Sequence, residues 1–168
     1  GEALSVSGPC GCVRDADDLD PMTTSLICET IQERTMADLR EARDRAATAD
    51  LLELRLDGVT DLDVAGALAD RRLPAIVTCR AVWEGGRFDG SEADRLRVLQ
   101  QAINLGAEYV DVEWRAEHQQ LVRRPGTALV LSHHDFTGVP ADLADRVRAM
   151  RAVGADVVTR MLGDELTE

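Results

Sequence analysis

The sequence predicts an α/β fold of the (β/α)8, TIM-barrel type, here an incomplete barrel with about six of eight parallel strands. Three observations carry this expectation. From Ser25 onward, short apolar runs alternate with segments whose apolar residues fall three or four apart. The runs are nearly continuous in apolar residues, as parallel strands covered on both faces require. A small–acidic–apolar–apolar tetrad also recurs at strand entrances, as Ala49-Asp50-Leu51-Leu52, Ala107-Glu108-Tyr109-Val110 and Ala155-Asp156-Val157-Val158. Repeated units of one kind suit a barrel, whose strands are equivalent in role. A doubly wound sheet is the competing architecture. It usually carries a glycine-rich turn after its first strand, and here that turn is Gln32-Glu33-Arg34-Thr35.

Element by element, residues 1–21 are rich in Gly, Ser, Asp and Pro without periodicity and read as a flexible leader. Met22 follows as a candidate translation start, so the barrel is expected over 22–168. The strand runs are Leu26–Ile31, Leu51–Leu56, Ala75–Cys79, Tyr109–Trp114, Ala128–Leu131 and Val157–Leu162. Met36, Leu39, Ala42 and Ala46 mark the first helix, and Val64, Ala67 and Leu68 a short second. Leu96, Leu99, Ala102 and Ile103 mark the third, with Ser91 as its N-cap. Leu143, Val147 and Met150 mark the last, entered by Pro140 where a missing N–H costs nothing. The stretch between Trp114 and Ala128 is short for a helix.

The 168 residues carry 19 basic against 31 acidic side chains, a formal net charge of −12. That balance argues against non-specific nucleic-acid binding, while an arginine cluster still permits an anionic small molecule locally. All of the basic residues are arginine; the chain contains no lysine. No apolar run approaches the ~20 residues that span a bilayer, and no secretory signal is visible. Cys10, Cys12, Cys28 and Cys79 complete no zinc pattern and read as reduced thiols of a cytoplasmic protein.

In a (β/α) barrel, chemistry sits at the carboxyl ends of the strands. Alternation on the second strand places Glu53, Arg55 and Asp57 on the interior side, where charges are expensive unless they pair or bind something. A structural ion-pair network is the alternative. The third strand ends in Arg80, followed by a loop with Glu84 and the pair Gly85-Gly86, either folded over the barrel mouth or forming a chance surface salt bridge. The fourth strand offers Asp111, Glu113 and Arg115 by alternation. The fifth ends in His133-His134-Asp135; adjacent residues point to opposite sides, so at most one histidine faces the mouth. A histidine there suits acid–base work, although a lone one is more often structural. Adjacent histidines cannot easily chelate one ion, so no metal is expected.

These segments together resemble the type I 3-dehydroquinate dehydratases of the shikimate pathway. The resemblance rests on Ala49–Asp57, Thr78-Cys79-Arg80 with Trp83-Glu84-Gly85-Gly86, Gly106–Glu113, Ser132-His133-His134-Asp135-Phe136 and Gly154–Val158, and runs from about Ser25 to Val158. The loop Trp83-Glu84-Gly85-Gly86-Arg87-Phe88-Asp89-Gly90 is most similar to the versions of plant bifunctional enzymes and some bacterial relatives, which makes fusion to a shikimate dehydrogenase in the parent gene one expectation. The resemblance implies a lyase of aromatic amino acid and chorismate biosynthesis that removes water from 3-dehydroquinate through a Schiff base and uses no cofactor. In that family a lysine forms the imine, and a histidine moves the proton. Carried over, His134 is the acid–base residue and Glu84 orients it. Glu53, Arg55 and Arg80 hold the substrate, and Asp111, Glu113 and Asp135 support them.

The sequence departs from the family at the sixth strand. It reads Gly154-Ala155-Asp156-Val157-Val158-Thr159, with Thr159 where the Schiff-base lysine stands, and threonine cannot form an imine. Two readings follow: a truncated or frameshifted dehydratase, inactive alone, or a diverged non-catalytic module that binds a cyclic polyhydroxy acid. A metal-dependent barrel lyase on Glu53, Asp111, Glu113 and His134 is a third. An open barrel is also expected to associate, as a homodimer or through its unpaired edges.

Overall fold

The computed structural model describes residues 4–5, 25–136, 138 and 140–162. Strand β1 (Leu4–Ser5) pairs antiparallel with β2 (Ser25–Leu26). Apart from Leu4–Ser5, the leader expected over 1–21 lies outside the described residues. A six-stranded sheet follows: β3 (Cys28–Ile31), β4 (Leu51–Arg55), β5 (Ala75–Thr78), β6 (Tyr109–Glu113), β7 (Ala128–Asp135) and β8 (Val157–Leu162). Its spatial order is the chain order, and every pairing is parallel. That is the topology of a (β/α) barrel wall with β3 and β8 as its edges, and not the reversing order of a doubly wound sheet.

Helices α1 (Met36–Arg45), α2 (Val64–Leu68), α3 (Glu92–Asn104) and α4 (Leu143–Ala152) fill the crossovers. Thr35, Asp63 and Ser91 cap the first three by accepting N–H bonds from Asp38, Gly66 and Asp94. Pro140 does not enter α4. The helix begins at Leu143 behind Asp142, and the Pro140 carbonyl closes the preceding turn by accepting from the Leu143 N–H. Between β6 and β7 there is only a 3-10 turn, His118–Gln120, because the short crossover leaves no room for a full helix.

Strand alternation divides the core in two. Leu52, Leu54, Val77, Val112 and Leu131 turn outward and pack with Leu39, Leu99 and Met150 of the helices in one large cluster. Leu51, Ile76, Val130 and Val157 turn the other way and form a small apolar layer at the strand entrances. Beyond that layer the inner face becomes polar.

The repeated tetrad has a physical cause. Asp50 accepts a hydrogen bond from the Ile27 N–H at 2.8 Å, Glu108 from Ala75 at 2.9 Å and Asp156 from Leu129 at 2.7 Å. Each acid precedes its own strand and takes up a backbone donor at the start of the strand before it. Arg71 pairs with Glu108 at 2.7 Å, and Arg123 pairs with Asp156. At these partly exposed positions solvent screening keeps each contribution to about 0.5–1.5 kcal/mol.

Candidate active site

The polar inner face is built strand by strand. At β4, Glu53 accepts from the Thr30 hydroxyl at 2.9 Å and from the Thr78 hydroxyl at 2.8 Å, which ties three strands together. Arg55 ends the strand and grips Asp57 with two hydrogen bonds, of 2.8 and 2.9 Å. Asp57 lies beyond the strand, on its turn, and also accepts from the Arg87 N–H at 3.0 Å. Burial pushes the Asp57 carboxyl up, but the Arg55 guanidinium outweighs it and holds the group below the usual range.

Arg80 sits behind β5, buried among anions. It lies 2.8 Å from Asp111 and 3.1 Å from Glu113, and donates to the Ser132 hydroxyl at 2.5 Å. Ser132 in turn donates to Asp111 at 2.7 Å. Glu113 also pairs with Arg95, a fully buried arginine of α3 that holds Glu92 and the Cys79 carbonyl. Burial lowers the proton affinity of Arg80, yet Asp111 and Glu113 more than restore it. Asp111 is pushed up by burial against the pull of Arg80 and Ser132. Of the ion-pair network anticipated as the alternative for Glu53, Arg55 and Asp57, the Arg55–Asp57 pair forms while Glu53 is held by two threonine hydroxyls; a separate network around Arg80 and Arg95 absorbs Asp111 and Glu113. Arg80 pairs with these two and not with Glu84, so the chance loop salt bridge does not form. Arg115 departs from the alternation, because β6 ends at Glu113 and Arg115 is exposed. Among the described residues no group of three or more His, Cys, Asp or Glu side chains could hold a metal ion. The residues of the metal-lyase alternative are thus not gathered into a site.

The loop after β5 delivers Glu84. Val82–Glu84 forms a 3-10 turn, closed by Gly85 in the left-handed region at φ 77°. A Cβ at Gly86 would run into the Arg80 backbone, and the Gly86 N–H donates to the Ala81 carbonyl at 2.9 Å. The glycine pair is what lets the loop fold back on the strand end and bury Glu84.

Glu84 meets both histidines of β7. His134 lies with Nδ1 2.7 Å from Oε2, and its backbone N–H donates to the same oxygen at 3.2 Å. His133 lies with Nδ1 3.2 Å from Oε1. Burial pushes the Glu84 carboxyl up, but the bonds to His134 and His133 hold it below the usual glutamate range. In the neutral ring, an Nδ1–H donated to this carboxylate leaves the lone pair of His134 on Nε2. Phe136 stacks on His134 with ring centroids 6.3 Å apart. His134 shares the inner face with Ser132, and Ser132 is in register with Thr159 of β8, so all three face the same side of the sheet. Asp135 lies 3.8 Å from Arg146 of α4, away from that face. The contact between His133 and Glu84 was not visible in the sequence. Only the His-His doublet hinted at it.

Comparison with known proteins identifies the family. The profile of the type I 3-dehydroquinase family matches residues 27–161. The 3-dehydroquinate dehydratase of Desulfotalea psychrophila is 36% identical over 144 residues, covering 81% of this chain and 64% of its own length. The chloroplastic bifunctional 3-dehydroquinate dehydratase/shikimate dehydrogenase of Arabidopsis thaliana is 32% identical over 80% of the chain, which spans only 24% of it. A crystal structure of the Clostridium difficile type I 3-dehydroquinate dehydratase with covalently modified comenic acid superposes with a TM-score of 0.73 at 22% identity. It covers 82% of this chain and 62% of that one. The chain thus spans less than two thirds of the length of these relatives, and it belongs to the type I 3-dehydroquinase family.

Proposed function

We propose that this chain forms the substrate floor and the acid–base half of a 3-dehydroquinate dehydratase site, and that it lacks the imine-forming step. The reading rests on one observation above all: the 2.7 Å contact between Glu84 and Nδ1 of His134 at the mouth of β7. That contact leaves Nε2 without a partner among the described residues, able to take a proton from a carbon acid and return it to a leaving hydroxyl. Arg55 and Arg80 supply positive charge for a carboxylate, and Glu53 accepts from ring hydroxyls. Asp57, Asp111 and Glu113 hold the two arginines in place, and Asp135 braces the end of β7.

Thr159 is the departure. An imine withdraws an electron pair into a cationic nitrogen, and a threonine hydroxyl offers no such sink. With Thr159, the chain binds the cyclic polyhydroxy acid without turning it over. The same reading includes a cytoplasmic setting, in keeping with the free thiols of Cys28 and Cys79. It also includes self-association through the β3 and β8 edges and, as in the plant relative, fusion to a dehydrogenase.

Calorimetry with quinate, joined to borohydride trapping with 3-dehydroquinate, tests this. The full chain is expected to bind quinate and gain thermal stability, yet form no trapped adduct. Thr159→Lys is expected to yield an adduct at residue 159. A trapped adduct on the unsubstituted chain, or the absence of both binding heat and thermal protection, overturns the proposal.

A further inference from the structure

The acid–base reading leaves His133 unused, although it is buried and in contact with the same carboxylate. Three elements converge on its ring. Glu84 meets Nδ1 at 3.2 Å, and an N–H of the Arg146 guanidinium on α4 donates to Nε2 at 3.1 Å. Trp114, at the end of β6, meets the ring edge-on with centroids 6.0 Å apart. Arg146 is itself held by Asp142 at 2.9 Å and lies 3.8 Å from Asp135.

These contacts assign protons. A guanidinium only donates, so the Nε2 of His133 must present a lone pair to it. The ring proton of His133 therefore sits on Nδ1, aimed at Oε1 of Glu84. With Oε1 held from one side, the carboxylate keeps one orientation, in which Oε2 receives the Nδ1–H of His134.

We propose that His133 and Arg146 are positioning residues for the reaction. Arg146 sets the tautomer of His133, His133 pins Glu84, and Glu84 sets the tautomer of His134 that leaves Nε2 facing the mouth. The inference rests on the acid–base assignment of His134 above, but its primary readout does not depend on turnover.

The test uses the full chain with 15N-labelled histidine and long-range 15N–1H correlation spectra, which report the ring nitrogen that carries the proton. His118 serves as an internal reference, since its Nδ1 lies 3.1 Å from the Ala116 carbonyl. The unsubstituted chain is expected to show His133 and His134 each as a single Nδ1–H tautomer. His133→Leu is expected to turn His134 into a mixture of tautomers. His133→Asn, whose amide nitrogen is as many bonds from Cα as Nδ1, is expected to restore the single form. Arg146→Met is expected to release His133 into a mixture and to perturb His134 with it. If His133→Leu does not fold, Arg146→Met on its partly exposed site decides alone. An unchanged His134 tautomer in folded His133→Leu, or a changed His133 with an unchanged His134 in Arg146→Met, overturns the proposal. In a Thr159→Lys background, kcat is expected to fall on the order of tenfold in His133→Leu, with KM nearly unchanged. A Thr159→Lys chain that neither binds quinate nor forms a trapped adduct removes the dehydratase reading, while the tautomer spectra still decide the positioning role.

Discussion

Carboxylates stand at both ends of this sheet and do different work. At the strand entrances, Asp50, Glu108 and Asp156 each take one backbone N–H of the preceding strand, two of them under an arginine at the rim. At the strand exits, Asp57, Asp111, Glu113 and Glu84 engage charged or ring side chains, Arg55, Arg80, Arg95 and two histidines, and three of them also take a backbone N–H. Entrance acids satisfy the fold's own backbone, so the same solution repeats unit after unit. Exit acids arrange cations against one another, so each differs from the next. The separation follows the rule that one end of a barrel serves stability and the other chemistry.

The comparison can be broken in three places. The largest effect is expected at the exits. Glu113→Leu leaves the buried guanidiniums of Arg80 and Arg95 short of charge and should cost about 3–5 kcal/mol in urea unfolding. A loss below about 1 kcal/mol would mean that the exit network is worth no more than a surface pair. At the entrances, Glu108→Gln keeps an acceptor for Ala75 but loses the Arg71 pair, and should cost about 1–2 kcal/mol. Quinate binding should be untouched, and a weakened affinity would show that the two ends are not separate. The smallest effect is a slope with pH. Asp57 and Glu84 have folded-state carboxyls held below their unfolded values. Their contribution is complete above about pH 5 and is lost as the pH falls through the lowered folded values. Asp111, pushed up, acts in the opposite sense and loses stability as the pH rises through its raised value. Unfolding free energy should therefore decline below about pH 5, and a flat profile there would contradict the lowered carboxyls.

Much of this was legible in the chain. The six apolar runs became the six strands because parallel strands buried on both faces need such runs. The entrance tetrad could be seen as a repeat before its hydrogen bonds were known. Ser91 capped its helix as its spacing to Asp94 suggests. The exit pairings were not legible. Alternation says that Arg80, Asp111 and Glu113 share a face, but sheet register decides which of them meet. The histidine doublet misled in a specific way. His133 and His134 do point to opposite sides, yet both reach Glu84, because a loop carboxylate above the strand end offers one oxygen to each. Pro140 missed the helix start because its carbonyl was needed to close the turn before Asp142.

The strict agreement between strand order and chain order has a consequence for synthesis. Each strand from β4 to β8 finds its neighbour one crossover behind it and waits for nothing downstream. Contacts of this range form early, and a chain emerging from the ribosome can add one unit at a time to a growing wall. The floor around Glu53 and Arg80 is then in place before β8 arrives. Docking of β8 onto that wall brings residue 159 beside Ser132.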